Sequence, residues 1–439
     1  RGKYAAAATL PRYSKTAALP PHSTLRTIAR VIRGEGLTSA LVRASERIAE
    51  ASRSTALRAR GAFVKAAGAA ILNVSAADVS ARLGGVQVQL IARLRAESAL
   101  RNVALLHPGV LELSAPVRHT RGVAGDFGTA IRQALAITGA KTIHLEGTDG
   151  LSLPVILGLV DEGIRVVVSV HDFSLFCARP HLLELPMEHF CWYSEDLDRC
   201  HRCLRETFDV AYDAQAERRA LGRRLLASAT GLIFPSRFLF AKHRELFSLP
   251  DLAGEVIEPG VPSFAKRSYG ARPAIAYAGS AKRHKGAHLL PEIIRLAGEA
   301  EWHIFGGGDE DLLRALRQLP NVTVHGYYRN GRLPSLLTRH RVGLVVLPSI
   351  WPETHCLVLS EAWLAGAAAV AFDLGAPAER IRRDGGGWLA PLDSGAAGLA
   401  EIVRQWRSGT IAADVPSLAT SPLDAARAHV DRYRAWGSL

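Results

Sequence analysis

Apolar and polar positions divide the chain into three stretches. Residues 1–22, rich in Ala, Pro and Ser with scattered Lys and Arg, have no periodicity and read as a flexible lead-in. From Leu25 a helical period begins. Leu25, Ile28, Ala29 and Ile32 fall at i, i+3, i+4 and i+7 while Arg26, Arg30 and Arg33 take other faces, and a second helix is predicted from Thr38 to Arg60 after Gly34 and Gly36. Residues 23–66 therefore read as a basic amphipathic helical extension. After Ala69, short apolar runs alternate with helical stretches. Ile71–Val74, Val103–Leu106, Thr142–Leu145, Val166–Val170 and Leu232–Pro235 predict strands of one parallel sheet, with room between them for crossover helices. The pattern restarts after Pro259-Gly260-Val261-Pro262, with Ala274–Ala278, Trp302–Phe305, Val322–His325, Val342–Leu347 and Ala368–Phe372 as a second set. The prediction is α/β, with two doubly wound domains at 68–262 and 263–410. Segment 411–439 follows, and its helix, about Leu423–Trp436, is expected to return across the first domain.

With 439 residues, 48% of them apolar and 22% charged, the chain can bury sizeable cores. Every apolar run is cut by charge or glycine before it reaches the length of a spanning helix. The net charge is +13, but residues 1–70 carry +10 of it, so the body is nearly neutral and the excess lies in an appendage. No basic stripe interleaved with aromatics and no zinc-finger spacing accompanies that charge, which argues against nucleic acid as a partner. Two readings remain for residues 23–66: contact with anionic lipid head groups, or a helical collar packed on the body or on a neighbouring domain. The chain opens on Arg1 and its only methionine is Met187, so it reads as a piece of a longer product.

Ligands of doubly wound sheets bind at the carboxyl ends of strands, where glycine turns let backbone amides approach phosphates. The first predicted strand leads to Gly84-Gly85-Val86-Gln87 at a helix start, with neither a dinucleotide fingerprint nor a P-loop. The second domain opens with a strand and then Gly279-Ser280-Ala281-Lys282-Arg283-His284-Lys285-Gly286. A glycine turn carrying cations ahead of a helix suits a diphosphate, and a solvated basic loop fits the same residues. Glu353 and Glu361 stand eight apart, the first in a loop after a strand and the second within the next helix, so both can face one crevice. That arrangement offers one carboxylate to sugar hydroxyls and another to a ribose, with helix-start amides between them for phosphate. Cys177, Cys191, Cys200 and Cys203 are spaced C-x13-C-x8-C-x2-C, while Cys356 is remote. A structural Zn²⁺ stapling this loop, with His201 as a substitute ligand, and ordinary buried or free thiols both fit. His144, His303 and His325 fall in strand-like segments and are expected to fill core or strand-end roles.

Taken in order over residues 69–395, Gly84-Gly85, Val170-His171-Asp172, Phe234-Pro235-Ser236, Gly279 through Lys285-Gly286, Glu353-x7-Glu361 and Gly375-Ala376 ahead of Glu379-Arg380 resemble a retaining glycosyltransferase of family four. The resemblance implies the GT-B fold, two Rossmann-like domains facing a cleft. It also implies a nucleotide-sugar donor, a saccharide or lipid-linked saccharide acceptor, and no catalytic metal. By it Glu361 would hold the ribose and Glu353 the donor sugar, and Lys285 with the amides near Leu357 and Val358 would bind the diphosphate. Gly84 and Gly85 would close over the phosphates, and His171 would stand near the anomeric centre. Ser280 occupies a place where the family usually has Arg, which assigns the second cation to Lys282 or Arg283. Thr354-His355-Cys356 replaces the usual aromatic-glycine pair and leaves the sugar pocket unassigned. The expected setting is cell-surface polysaccharide or glycoconjugate assembly in the cytoplasm, and the lipid-contact reading of residues 23–66 would put the chain on the inner face of the membrane. The rivals are a nucleotide-sugar epimerase and a non-catalytic scaffold on a degenerate transferase fold.

Overall fold

The computed structural model describes residues 70–77, 79, 84–115, 117–123, 125–264, 273–418 and 420–439. The lead-in 1–22 and the predicted basic helices of 23–66 lie outside the described residues. The chain divides into two compact units, the first ending at Gly260 and regaining Thr420–Leu439, the second beginning at Val261. No helix among the described residues is long and apolar enough to cross a membrane.

In the first unit the chain runs through Ile71–Val74 (β1), Gly85–Glu97 (α1), Val103–His107 (β2), Val110–Ala115 (β3), Val117–Gly122 (β4), Phe127–Thr138 (α2), Thr142–Glu146 (β5), Leu153–Asp161 (α3) and Arg165–Ser169 (β6). A ribbon of Leu183–Glu184 (β7) and His189–Phe190 (β8) precedes Leu197–Arg205 (α4), Ala214–Ser228 (α5), Gly231–Phe234 (β9), Arg237–Leu246 (α6) and Glu255–Val256 (β10). The main sheet has the order β10-β9-β6-β5-β1-β2-β3-β4. Every residue of β1, β2 and β5 is buried, and their apolar positions are interrupted by Asn73 in β1, His107 in β2 and Thr142, His144 and Glu146 in β5. Local chemistry sets the helix ends. Asp126 accepts from the Thr129 amide at 2.8 Å and Ser236 from the Leu239 amide at 3.1 Å, each satisfying a donor that has no intrahelical partner. Strands β3 and β4 are antiparallel additions beyond the expected edge. Their signal is the Pro108-Gly109 turn, with Gly109 at φ 73°, followed by buried Leu111 and Leu113 alternating about Glu112.

The second unit holds Ala274–Ala278 (β11), Leu290–Ala297 (α7), Trp302–Phe305 (β12), Glu310–Arg317 (α8), Val322–Gly326 (β13), Leu333–Arg339 (α9), Val342–Leu347 (β14), Leu357–Ala365 (α10), Ala368–Phe372 (β15), Gly375–Asp384 (α11), Gly387–Ala390 (β16) and Gly395–Arg407 (α12). All six strands are parallel in the order β13-β12-β11-β14-β15-β16, the doubly wound pattern with its reversal between β11 and β14. Alternate residues serve opposite faces. Ile275, Tyr277, Leu344 and Val346 pack with Leu290, Ile294, Leu399 and Val403, while Ala276, Ala278, Val345 and Leu347 pack with Leu337, Leu359 and Trp363.

The last helix, Pro422–Ala435 (α13), belongs to the first unit, where buried Tyr433 contributes to the core. Two glycines make room for this return. A Cβ on Gly260 would lie 2.3 Å from the Ser421 carbonyl oxygen, and one on Gly231 would lie 2.4 Å from the Trp436 ring. Gly231→Ala is therefore expected to force Trp436 off β9 and cost about 1–3 kcal/mol of stability. A thermal or urea transition of the purified variant measures it; an unchanged midpoint would mean that the return segment is not held against β9.

Candidate functional site

In an open parallel sheet the crevice at the strand-order reversal is flanked by the loops that leave the two central strands. Here those loops follow β11 and β14. The β11 loop starts at Gly279, φ 120°, whose amide donates to the Phe305 carbonyl at 2.9 Å. It then forms a short 3₁₀ turn, Arg283–Lys285, ended by left-handed Gly286. A Cβ on Gly286 would stand 1.7 Å from the Pro348 carbonyl oxygen, and the Ile350 amide donates to the His284 carbonyl at 3.1 Å. The two loops thus touch backbone to backbone.

This contact brings Lys285 to Glu353, with Nζ 2.7 Å from Oε2 and 5.3 Å from the centre of the Trp351 ring. The Ser349 hydroxyl donates to the other Glu353 oxygen. Burial opposes the Glu353 charge, but Lys285, Ser349 and Cys356 outweigh it and hold the carboxyl below its usual range. The Glu353 backbone is clamped as well: its carbonyl accepts from the Ala376 amide at 2.7 Å, and Gly375 leaves no room for a side chain there.

Helix α10 starts at Cys356, a left-handed residue at φ 68° that offers no side-chain cap. The first amides of a helix lack intrahelical acceptors, so Leu357 and Val358 present the positive end of α10. Val358 lies beside Gly279, within 3.9 Å of where a Cβ would stand. Arg380 on α11 is buried and donates to the His355 and Cys356 carbonyls at 3.0 and 3.1 Å and to the Ser360 hydroxyl at 2.8 Å. It fixes the turn that aims α10. The sequence marked Arg380 only as part of a motif; its role comes from burial beneath that turn. Glu361, on the second turn of α10, has a contrasting environment: burial alone pushes its carboxyl up to about 7. Its charge also bears on the buried Tyr328 hydroxyl, which burial and Glu361 together keep protonated. Ser280, Lys282 and Arg283 are exposed on the β11 loop.

In the first unit, Gly84 and Gly85 open α1, and the Gly84 amide donates to the Gln87 side chain at 3.0 Å. His171 follows β6, with Nε2 3.6 Å from Glu146 at the end of β5. Helix α1 shares a pocket with His171, Glu146, Ser169, Pro259 and His429. Beneath it lies an ionic group that sequence reading did not reveal. Arg93 donates to Glu97 at 2.6 Å, to the Tyr433 hydroxyl at 2.7 Å, to Asn73 at 3.0 Å and to Glu146. Burial works against the Glu146 charge, and Arg93, with His144 and His171, overcomes it and keeps the carboxylate ionised. His144 is fully buried, with its nitrogens 2.6 Å from the Tyr433 hydroxyl and 2.8 Å from Ser169 Oγ, a satisfied core role. Cys177, Cys191, Cys200 and Cys203 line a separate pocket of the first unit.

His303, His325 and His340 gather in the second unit with ligand nitrogens within 4.8 Å of one another, and they form the metal-ligand grouping found among the described residues. His325 stacks on Phe305 at 4.5 Å.

Residues 272–408, which span the second sheet and its helices, match a family model described as glycosyl transferases group 1. No curated protein matches the chain by sequence. Among solved structures, sucrose-phosphate synthase from Thermosynechococcus elongatus is similar at TM-score 0.59 and 18% identity, over 83% of this chain and 96% of that one. The catalytic domain of Starch Synthase IV from Arabidopsis thaliana, bound to ADP and acarbose, gives 0.56 and 13%, over 84% and 99%. Anabaena HepE in complex with UDP gives 0.52 and 16%, over 82% and 94%. The fold is GT-B.

Burial holds His243, His303 and His325 down at about 4 and His429 at about 3. In the unfolded chain each titrates near 6.5, so as pH falls through that value the unfolded state takes up protons that the native state refuses. Their contribution is complete above about pH 6.5 and is lost progressively towards pH 4. The melting temperature is expected to drop over that window, and His243→Phe, whose ring would stay stacked on Phe173 at about 5.6 Å, should flatten the drop. An equally steep profile in the variant would sink this assignment.

Proposed function

We propose that the chain is a retaining glycosyltransferase of family four that moves a sugar from a nucleotide-sugar donor to a saccharide or lipid-linked saccharide acceptor in cell-surface polysaccharide or glycoconjugate assembly. The observation that carries this reading is the Lys285–Glu353 pair at 2.7 Å beside the start of α10, with Glu361 one turn further on. A scaffold has no physical need for two carboxylates and a cation at one switch point. The match of residues 272–408 to group 1 glycosyl transferases and the nucleotides in the HepE and Starch Synthase IV structures support the same reading.

On this reading the second unit takes the donor. Lys285 and the α10 amides hold the diphosphate, Glu361 accepts the ribose hydroxyls, and Glu353 accepts hydroxyls of the donor sugar. The sugar–phosphate bond breaks as the acceptor hydroxyl adds to the same face of the anomeric carbon, and the departing diphosphate oxygen receives the acceptor's proton. Catalysis is then positioning and charge stabilisation of an oxocarbenium-like state, with Lys285 facing the charge that builds on the leaving group. The first unit takes the acceptor, and His171 stands at the reacting end of its pocket. Residues 23–66 are assigned to an anionic membrane surface at the cytoplasmic face.

A thermal-shift panel of UDP, GDP, ADP, CMP and dTDP tests the donor site, since a ligand at about 100 times its dissociation constant adds roughly 2.7 kcal/mol. One nucleotide is expected to raise the melting temperature, and Glu361→Ala to abolish the rise. Lys285→Ala is expected to cut turnover of the matching nucleotide sugar about 100-fold. Full turnover in both variants would end the site assignment.

Only the ionised Glu361 carboxylate can accept hydroxyl hydrogens on both oxygens, and burial places its titration at about 7. Affinity for the nucleotide sugar, whose phosphates do not titrate there, should rise as pH climbs through 7. Glu361→Gln should remove that dependence in calorimetric titrations; a flat wild-type profile would contradict it.

A further inference from the structure

Between β6 and α5 the first unit contains a segment of little regular structure, reaching from Val170 to Asp213. Its ordered parts are the β7–β8 ribbon, two residues to a strand, and the nine-residue α4. The ribbon is tied to the body by aromatic contacts: Tyr193 meets Phe173 at 5.4 Å and Phe190 at 5.1 Å. Helix α4 buries Leu204 and is otherwise held by polar contacts, Arg199 Nε to Glu184 on the ribbon at 2.8 Å and Arg179 Nη2 to the Cys203 carbonyl at 3.1 Å. A helix of nine residues with one buried side chain is not stable by itself.

Two of the side chains that α4 turns toward the segment are sulfurs. Cys200 and Cys203 lie on it one turn apart, and with Cys177 and Cys191 they line one pocket. None of the four is in a disulfide. Three of the four sulfurs have an N–H donor directed at them, and the Cys200 thiol also donates to the Ser194 carbonyl at 3.4 Å. The Arg179 amide lies 3.4 Å from Cys177 Sγ, the Leu185 amide 3.3 Å from Cys203 Sγ and Arg219 Nη2 3.5 Å from Cys200 Sγ. N–H donors aimed at sulfur are weak partners of a thiol and strong partners of a thiolate, so these positions can support thiolates once a cation displaces the thiol protons. Arg179, Arg199 and Arg219 line the same pocket, which suits the surplus negative charge of four thiolates around one divalent ion.

We infer that Cys177, Cys191, Cys200 and Cys203 bind a structural Zn²⁺. Four thiolates with two of them in a C-x2-C turn fit tetrahedral, redox-inert zinc, and a closed four-sulfur shell has no open position for catalysis. Binding releases the thiol protons and draws the sulfurs from the pocket walls onto the ion. The ion fastens α4 and the ribbon to the chain that leaves β6 just after His171 and Asp172. It is a staple for the first unit and takes no part in the donor reading above.

The test is metal analysis of the full chain purified under reducing conditions without chelator. About one zinc per chain is expected, lost from the Cys200→Ser/Cys203→Ser double variant and kept by Cys356→Ala. Because the double variant can lose its fold together with its metal, the wild-type protein supplies a second readout. Cobalt substituted for zinc should show the charge-transfer and ligand-field bands of a tetrahedral thiolate site, and a mercurial reagent should release the ion as the thiols are titrated. An ion that stays in the double variant, held for instance by His303, His325 and His340, overturns the assignment. So does a metal-free protein with four reactive thiols, a disulfide between any two of these cysteines, or iron in place of zinc. Metal content is read apart from turnover, so failure of the donor reading would leave this result intact.

Discussion

Four turns meet backbone to backbone at the carboxyl edge of the second sheet, and that convergence depends on positions where a side chain cannot fit. A Cβ on Gly306 would lie 1.8 Å from the Gly279 carbonyl oxygen, one on Gly286 1.7 Å from that of Pro348, and one on Gly375 2.7 Å from the Glu353 backbone. All three have positive φ, so an L side chain would be strained there even if space were opened. The turns leave β11, β12, β14 and β15, four separate strands of a buried parallel sheet. The rigidity of that sheet passes directly to Lys285 and Glu353, which sit on loops but are held as closely as core residues. Pre-organisation of this kind lets a site stabilise charge without first rearranging.

Within that frame the two glutamates differ because their surroundings differ. Glu353 is buried with a cation and a hydroxyl and stays ionised; Glu361 is enclosed without a cation and titrates at about 7. The first is fixed in one charge state, while the second awaits donors from a ligand. Arg380 completes the arrangement from beneath. Its buried guanidinium, 5.1 Å from the Trp363 ring centre, binds the carbonyls just ahead of α10 and so sets the direction of that helix's positive end.

The first unit depends on a different interaction. Arg93 gathers Asn73, Glu97, Glu146 and Tyr433 from four elements, and Tyr433 is supplied by α13, 340 residues further along the chain. A buried guanidinium is tolerated only when its donors are met and its charge is balanced, so removing one partner leaves the rest exposed to the full desolvation cost. The C-terminal helix is therefore structural to a unit whose sheet was completed long before it in sequence, and Gly231 and Gly260 are the openings that admit it.

How much of this was legible in the sequence follows from the range of the forces involved. Buried parallel strands favour apolar residues along their length, so β11, β14 and β15 stand out as short Ala, Val, Ile and Leu runs, and two doubly wound domains follow from the order of such runs; the GT-B arrangement was implied by the family resemblance. The glycine turns and the Glu353 and Glu361 pair were legible for a related reason, since close approach and charge need particular residue types at short spacing. The β3–β4 hairpin was missed because its alternation covers few residues and borders a run already read as an edge. The Arg93 group, the clamp made by Arg380 and the contrast between Glu353 and Glu361 could not be read at all. Each depends on which distant side chains share a low-dielectric volume, and a linear chain holds no record of that until folding removes the water between them.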